Sequence, residues 1–564
     1  MDGDPLKTDV LVIGGGAAGC MAAIGAREAG AAVTLVDKAC IKRSGDCGGG
    51  NVTFTTYLNE GEAWDTKEAF LRWYSDIAEG LVDIDVVNAS TASQILLTVS
   101  RLEQMGIPLR DPNTGKYVRN RTFGAPGAYT VVFNGKNIKP ALAEEVRKLG
   151  TTVCENVLTT DLLVRDNRVF GTLGIGTRDE RIRIFSARVV ILASGEVVRL
   201  YHNMTGNPFN SWHSPFNTGA AHAMAFRAGA QLANMEFTTC NLTPRGFSSA
   251  GYATLTGGGC HLVNGRGERF MDQYHEKGER GPRWAVTSAV YHELKEGRGP
   301  CFFDCRHLSS ERIAHLLEEM HYDKETLLDF FHQKQLDLTK DLLEVQLSEP
   351  QLAGFTGKAN GIVVNEDCET RVKGLYAAGD CSTPSYALSG ALTTGYYAGK
   401  QAGRAALSLE GREDFSADTW DDIHRREKAI CDIARRRHGP AWWTVEKKMR
   451  QIMTDFVGFE RNEMGLRTAI EQLEKLAADA EALSAGNRHE WVRCLEATDL
   501  LAISKLVARG ALERRESRFG TSHYRNDYPK PDQEHFRGSI ILEREGNGIR
   551  ASFQPAKSLP ESIR

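Results

Sequence analysis

The sequence predicts an α/β nucleotide-binding core, interrupted by an inserted α+β domain and followed by a helical C-terminal domain. Three observations carry the prediction. A glycine cluster at residues 14–19 stands between an apolar run and an Ala-rich stretch. The α/β character returns at residues 361–380 after a mixed region, and beyond residue 411 apolar residues recur at helical spacing in a strongly charged background.

The bulk properties narrow the possibilities. At 564 residues the chain is too long for one ordinary core, and two to four domains are expected. A net charge of -4 gives no electrostatic case for nucleic acid as a partner. No apolar run has the length to cross a bilayer, and residues 1–8 are acidic and polar, unlike a signal peptide. A cytoplasmic protein is expected, membrane-associated only through a partner. The twelve cysteines are scattered singly, with three residues between the closest pair, Cys301 and Cys305. There is no C-x-x-C and no clustered run of four to hold an iron–sulfur centre, so reduced, buried thiols are expected.

The elements come in order. Residues 9–13 read as a buried strand, 17–30 as a helix closed by glycine, and 32–36 as a second strand. Residues 161–194 alternate as short strands with turns at Asp166-Asn167 and Asp179-Glu180, ending in an apolar run before Ser194-Gly195. The first part of the core is placed at 1–236, the inserted capping domain at 237–352, and the second part of the core at 353–410 with a helix over about 389–407. Residues 411–564 make the helical domain, with stretches 446–473 and 491–512 at helical spacing and an irregular polar tail.

Gly14-Gly15-Gly16-Ala17-Ala18-Gly19 is a G-x-G-x-x-G turn between strand and helix. Gly14 permits the tight turn, Gly16 lets a pyrophosphate approach the backbone, and Gly19 lets helix pack on strand. Ala17 and Ala18 open a helix whose N-terminus offers unpaired N–H groups to phosphate. Asp37 ends the second strand, where an acid hydrogen-bonds a ribose hydroxyl. The turn alone leaves FAD and NAD open.

Two later segments separate them. The strand ending in Ala377-Ala378-Gly379-Asp380 resembles the second FAD fingerprint of two-dinucleotide-fold flavoproteins, and Ala193-Ser194-Gly195 resembles the motif that returns the chain to the FAD domain. Together with Lys42-Arg43-Ser44-Gly45, Gly267-Glu268-Arg269-Phe270-Met271, Gly281-Pro282-Arg283 and the C-terminal Glu516-Ser517-Arg518, they resemble the succinate dehydrogenase/fumarate reductase flavoprotein family over nearly the whole chain. Thr56-Tyr57-Leu58, Phe133-Asn134-Gly135, Ser348-Glu349-Pro350 and Ser389-Gly390 look closer to its adenylylsulfate reductase branch. The resemblance implies a two-dinucleotide-type FAD-binding fold with a cap. It also implies flavin contacts from Lys38, Arg43, Ser44, Gly45, Gly48, Gly49, Asn51, Leu388 and Ser389, and iron–sulfur clusters on a separate ferredoxin-like subunit.

The departures are equally informative. Where succinate dehydrogenases tether FAD through histidine, this chain has Gly45 and Asp46, so non-covalent FAD is expected. Histidines of fumarate reductases are replaced within Glu236-Phe237-Thr238-Thr239 and Gly354-Phe355-Thr356-Gly357-Lys358, and Ser385-Tyr386-Ala387-Leu388 lacks the family arginine. Binding two carboxylates away from water needs several positioned cations; with Arg283 alone retained, the expected substrate is neither succinate nor fumarate. The adenylylsulfate branch also places a histidine near position 356, which is absent here.

The resemblance makes Arg283 the orienting and proton-relaying residue, a surface arginine after a Gly-Pro turn being the plain alternative, and Arg245, in a Pro-Arg-Gly loop, either a substrate-facing residue or a solvated one. Lys358 can supply a cation or base, a surface lysine being the plain alternative. His213, His261 and His275 are each able to move a proton, and spacing does not choose among them. Trp212, beside Asn210 and Pro215, either walls a pocket or packs in the core, and Cys47 is either a redox thiol or a packed one. The leading expectation is a flavoprotein subunit that oxidises or reduces a small polar or anionic substrate. A stand-alone flavin reductase or oxidase, and an electron-transfer module without a substrate site, stay open beside it.

Overall fold

The computed structural model describes residues 4–121, 125–205, 213–247, 252–321, 325–352, 357–411, 415–558 and 560. Its centre is a seven-stranded sheet. Leu6–Ile13 lies between Val33–Val36 and Ile182–Leu192, parallel to both, with Val10 opposite Val33 on one side and Val189 on the other. Val33–Val36 extends the sheet to Thr152–Cys154, and Leu375–Ala377 joins parallel to Ile182–Leu192. Arg168–Gly176 and Val157–Arg165 complete it as an antiparallel ribbon. The ribbon turns at Asp166 and Asn167, both at positive φ, as the Asp-Asn pair predicts.

Two helices cover one face. Ala17–Glu28 crosses Ala387–Ser408 closely enough for backbone to touch backbone. A Cβ on Gly399 would stand 2.1 Å from the Ala22 carbonyl oxygen, and one on Gly395 2.3 Å from that of Ala18. Small residues on both helices are therefore a packing requirement.

Antiparallel strands Leu242–Pro244, Leu343–Leu347, Cys301–Asp304 and His261–Val263 form a second sheet. It has its own core, including Leu262, Phe303, Leu316 and Val345. Here the expectation of reduced thiols fails, because Cys260 and Cys305 form a disulfide with Cα atoms 4.7 Å apart. They are 45 residues apart in sequence, and their adjacency arises only from pairing His261 opposite Asp304.

Trp442–Val457, Glu463–Ala480 and Arg488–Glu513 pack as a helical bundle. Asn462 and Asn487 cap the last two, accepting from Gly465 N and Glu490 N. The expected irregular tail is instead a hairpin, Gly538–Glu545 with Gly548–Pro555. It joins Leu232–Ala233 and then Gly361–Ile362 in a four-stranded sheet. The Gly546-Asn547-Gly548 turn, flanked by Ile540-Ile541-Leu542, is its sequence signal. Among the described residues no helix is long and apolar enough to cross a membrane.

Candidate active site

The glycine turn is built as its spacing requires. Gly14 has φ +101°, and a Cβ there would lie 2.5 Å from the Ala193 carbonyl oxygen; on Gly19 it would lie 1.7 Å from that of Gly14. Gly16 differs: the nearest atom to a Cβ would be Gly45 Cα at 3.8 Å, so the space beside it is open cleft. The N–H groups of Gly16, Ala17, Ala18 and Gly19 meet no acceptor among the described residues, and Cys20 N makes the first helical bond, to the Gly16 carbonyl. Four unused donors at a helix N-terminus suit a diphosphate.

A cleft of about 2990 Å³ runs from this turn into the second sheet region. Gly14, Gly16, Ala17, Ala18, Asp37 and Lys38 line its first part. Asp37 accepts from Gly15 N at 2.6 Å and Ala39 N at 2.7 Å, which fixes its carboxylate beside the turn. Lys38 reaches across to Glu496 of the helical bundle at 2.8 Å. Arg43, Ser44, Gly45, Gly49 and Asn51 line the next part, with Arg43 donating to the Gly48 carbonyl at 3.0 Å and Ser44 Oγ to that of Gly15 at 2.9 Å. Ala193, Ser194 and Gly195 close it from the central sheet, and Ser194 Oγ accepts from Ala221 N at 3.0 Å.

Asp380 and Leu388 line the far side. Burial pushes the Asp380 carboxyl up to about 7, against a 2.8 Å hydrogen bond from Ser385 that lowers it. Such a carboxyl suits a ribityl hydroxyl. With Asp37 near one end, Asp380 near the other and free N–H groups between, the residues fit FAD. Gly19, Gly48, Gly379 and Ser389 stand behind the lining rather than in it. For the glycines the contribution is close packing: a Cβ on Gly48 would meet the Arg43 carbonyl at 2.1 Å and one on Gly379 the Ala18 methyl at 2.6 Å. Cys47 is packed, and burial raises its thiol to about 12, so it is no thiolate.

Deeper in the cleft the second sheet region supplies charge. Arg283 begins the helix Arg283–Lys295 after Pro282. Its side chain is open to the cleft yet ringed by protein, and it has no hydrogen bond or ion pair among the described residues. Burial pulls it below the usual arginine range, with Tyr386 and Cys240 opposing. Lys358 is no surface lysine. It is 5% exposed, donates to the Thr238 carbonyl and Thr239 Oγ1, both at 3.0 Å, and approaches Ser522 Oγ at 3.5 Å. Burial first and Arg283 second push it down to about 7, while Cys240 and Glu79 act the other way.

Tyr386 lines the same cleft. A Cβ on Gly357 would come 3.1 Å from its ring, and Trp73 packs edge-on at 5.4 Å. Cys240 and Ser522 carry no sequence signal, and Tyr386 is legible only as part of a stretch, Ser385-Tyr386-Ala387-Leu388, that lacks the family arginine. Arg245 is not brought to this group: its side chain is 63% exposed, pairs with Glu344 at 2.9 Å and lies outside the cleft lining.

The histidines also separate. His213 borders the cleft with Nδ1 against Oε1 of the fully buried Glu196, and its ring titrates low through burial, with Asp46 raising it and Arg283 lowering it. Asp46, Glu196 and His213 bring ligand-type atoms within 4.8 Å of one another, though Asp46 already accepts from Ser214 N and Asn217 Nδ2. His275 borders the cleft edge-on to Trp284, whereas His261 stacks on His307 at 3.8 Å, away from the lining. Asn210, Trp212 and Gly354-Phe355-Thr356 lie outside the described residues.

The chain is similar to known proteins over nearly its whole length. An FAD binding domain family matches residues 9–400, and the fumarate reductase flavoprotein C-terminal family matches 446–560. A fumarate reductase (CoM/CoB) subunit of Methanothermobacter marburgensis is 30% identical, covering 96% of this chain and 98% of its own. An FAD-dependent oxidoreductase of Methanocaldococcus jannaschii is 29% identical over 95% and 96%. Adenylylsulfate reductase from Archaeoglobus fulgidus superposes with a TM-score of 0.85 at 24% identity, covering 99% of this chain and 96% of that one. An E. coli quinol fumarate reductase flavoprotein gives 0.84 at 22%, over 99% and 98%. These two likenesses are of fold.

Proposed function

The chain belongs to the succinate dehydrogenase/fumarate reductase flavoprotein family and is an FAD-dependent oxidoreductase of that type, and from this premise we propose that it oxidises or reduces a small anionic substrate held by Arg283 and Lys358. The observation that carries the reading is the convergence of these two cations, one of them without a counter-charge among the described residues, on one stretch of cleft. An anion bound there gains charge-assisted hydrogen bonds. By the resemblance, the stretches Glu236-Phe237-Thr238-Thr239 and Ser385-Tyr386-Ala387-Leu388 lack the histidine and arginine of a dicarboxylate site, which favours a substrate with a single anionic head.

When bound, FAD supplies the two-electron step. Arg283 and Lys358 fix the substrate against it. His213, steadied by Glu196, borders the same cleft and exchanges the accompanying proton. We infer that electrons pass on to a separate ferredoxin-like iron–sulfur subunit. Two facts support this: the chain has no cysteine spacing for a cluster, and several relatives are named as subunits. Anaerobic screening of small organic acids and sulfur and nitrogen oxyanions, with bleaching or reoxidation of the flavin as the signal, tests the reading. Arg283→Ala is expected to abolish the response to the true substrate while keeping the flavin bound; an unchanged response would refute the assignment.

A further inference from the structure

Beneath the glycine turn lies a lysine that the proposed reaction does not use. Lys139 stands in the first turn of the helix Ile138–Lys148 and is fully buried. Its Nζ donates to the Gly15 carbonyl at 2.6 Å and to Cys20 Sγ at 3.3 Å. Among the described residues it forms no ion pair with a carboxylate. A buried ammonium answered only by a carbonyl and a thiol carries a large desolvation cost, and such charges are ordinarily paired.

The peptide above it shows what the charge faces. In a trans peptide the carbonyl of one residue and the N–H of the next point to opposite sides, and the Gly15–Gly16 bond is trans. The Gly15 carbonyl is turned inwards, accepting from Lys139 Nζ, from Ser44 Oγ at 2.9 Å and from Cys20 Sγ at 3.4 Å. The Gly16 N–H is therefore turned outwards, to the cleft that Gly16 lines, where it has no acceptor among the described residues. A cation on the carbonyl oxygen also draws electron density from the amide and strengthens the N–H as a donor.

We propose that Lys139 is a positioning residue for the FAD diphosphate: it aims and polarises the Gly15–Gly16 peptide from behind, and the diphosphate is the counter-ion its charge lacks. The lysine acts without touching the cofactor, through one peptide group. This sets it apart from the lining residues, which act by contact, and from Ser44, which holds the same carbonyl without charge.

A purely structural lysine and a diphosphate-positioning one give opposite signs in the protein without FAD. Removing a buried charge that lacks its counter-ion relieves a cost, so the Lys139→Met apoprotein, stripped of flavin, is expected to melt at or above the wild-type temperature. FAD should meanwhile dissociate more readily from the Lys139→Met holoprotein, with affinity lower by roughly 10- to 100-fold, as for loss of a charge-assisted contact. Lys139→Gln retains an N–H donor without the charge and is expected to group with methionine. Flavin fluorescence on dilution of the holoprotein reads FAD affinity, and thermal unfolding of the apoprotein reads its stability. Wild-type FAD affinity in either variant, or an apoprotein that melts lower or fails to fold in both, would overturn the proposal.

Discussion

The sharpest handle on the substrate site is the pH dependence of anion binding through Lys358. Its pKa falls from an ordinary 10.5 to about 7, which disfavours the charged form by on the order of 5 kcal/mol. A bound anion favours the charged form, so binding draws a proton onto the lysine wherever the free site is neutral. Affinity should therefore be flat below about pH 7 and fall roughly tenfold for each further pH unit, until the raised pKa of the occupied site is reached. The sign for folding is the reverse of the usual lysine case. The folded pKa lies below the unfolded one, so the penalty is full below about 7 and is relieved as pH rises from there towards 10.5. Sulfate and acetate serve as probes, read from the perturbation of the visible flavin spectrum in the holoprotein. Lys358→Met should bind them weakly and without this pH dependence. Affinity that stays level between about pH 6 and pH 9, or the same slope in Lys358→Met, would refute the reasoning. The neighbouring groups Arg283, Cys240 and Glu79 remain in the variant, so any slope they cause survives there.

Two further outcomes can be checked directly. Since Gly45 occupies the tethering position, acid precipitation of the holoprotein should leave the yellow colour in the supernatant; a coloured pellet would show a covalent bond. Gly16→Ala and Gly399→Ala should separate binding from folding. The first has no protein atom within 3.8 Å of its new methyl and should keep apoprotein stability within about 0.5 kcal/mol, while FAD affinity falls. The second drives a methyl to 2.1 Å from the Ala22 carbonyl and should cost about 2 kcal/mol or more in urea unfolding.

The legible part of the sequence is what the local backbone decides. The turn at Gly14–Gly19 announces itself because each glycine answers a steric demand at fixed spacing, and the Asp166-Asn167 turn because its conformation selects its residues. The hairpin at Gly538–Pro555 is equally local, but the surrounding charge disguises it as a polar tail. The disulfide and the state of Lys358 are not local. Cys260 meets Cys305 only through strand pairing, and Lys358 becomes a weak base only when Thr238, Thr239 and Ser522 close round it. Lys139 has no sequence signal at all, because nothing in Asn137-Ile138-Lys139-Pro140 says that a helix will place it under a carbonyl more than a hundred positions earlier.

The C-terminal hairpin has a consequence for the order of assembly. Its strand Gly538–Glu545 pairs with Leu232–Ala233, and that strand in turn pairs with Gly361–Ile362. These two short segments leave and re-enter the chain on either side of the sheet spanning residues 242–347. Gly361–Ile362 finds its one neighbour in this sheet, Leu232–Ala233, as soon as it is made, whereas Leu232–Ala233 lacks its second neighbour until Gly538–Glu545 follows. The glycine turn and its helix close within one short stretch of chain, whereas this four-stranded sheet draws together segments far apart in sequence. A nascent chain thus carries Leu232–Ala233 with one edge uncovered until the hairpin arrives.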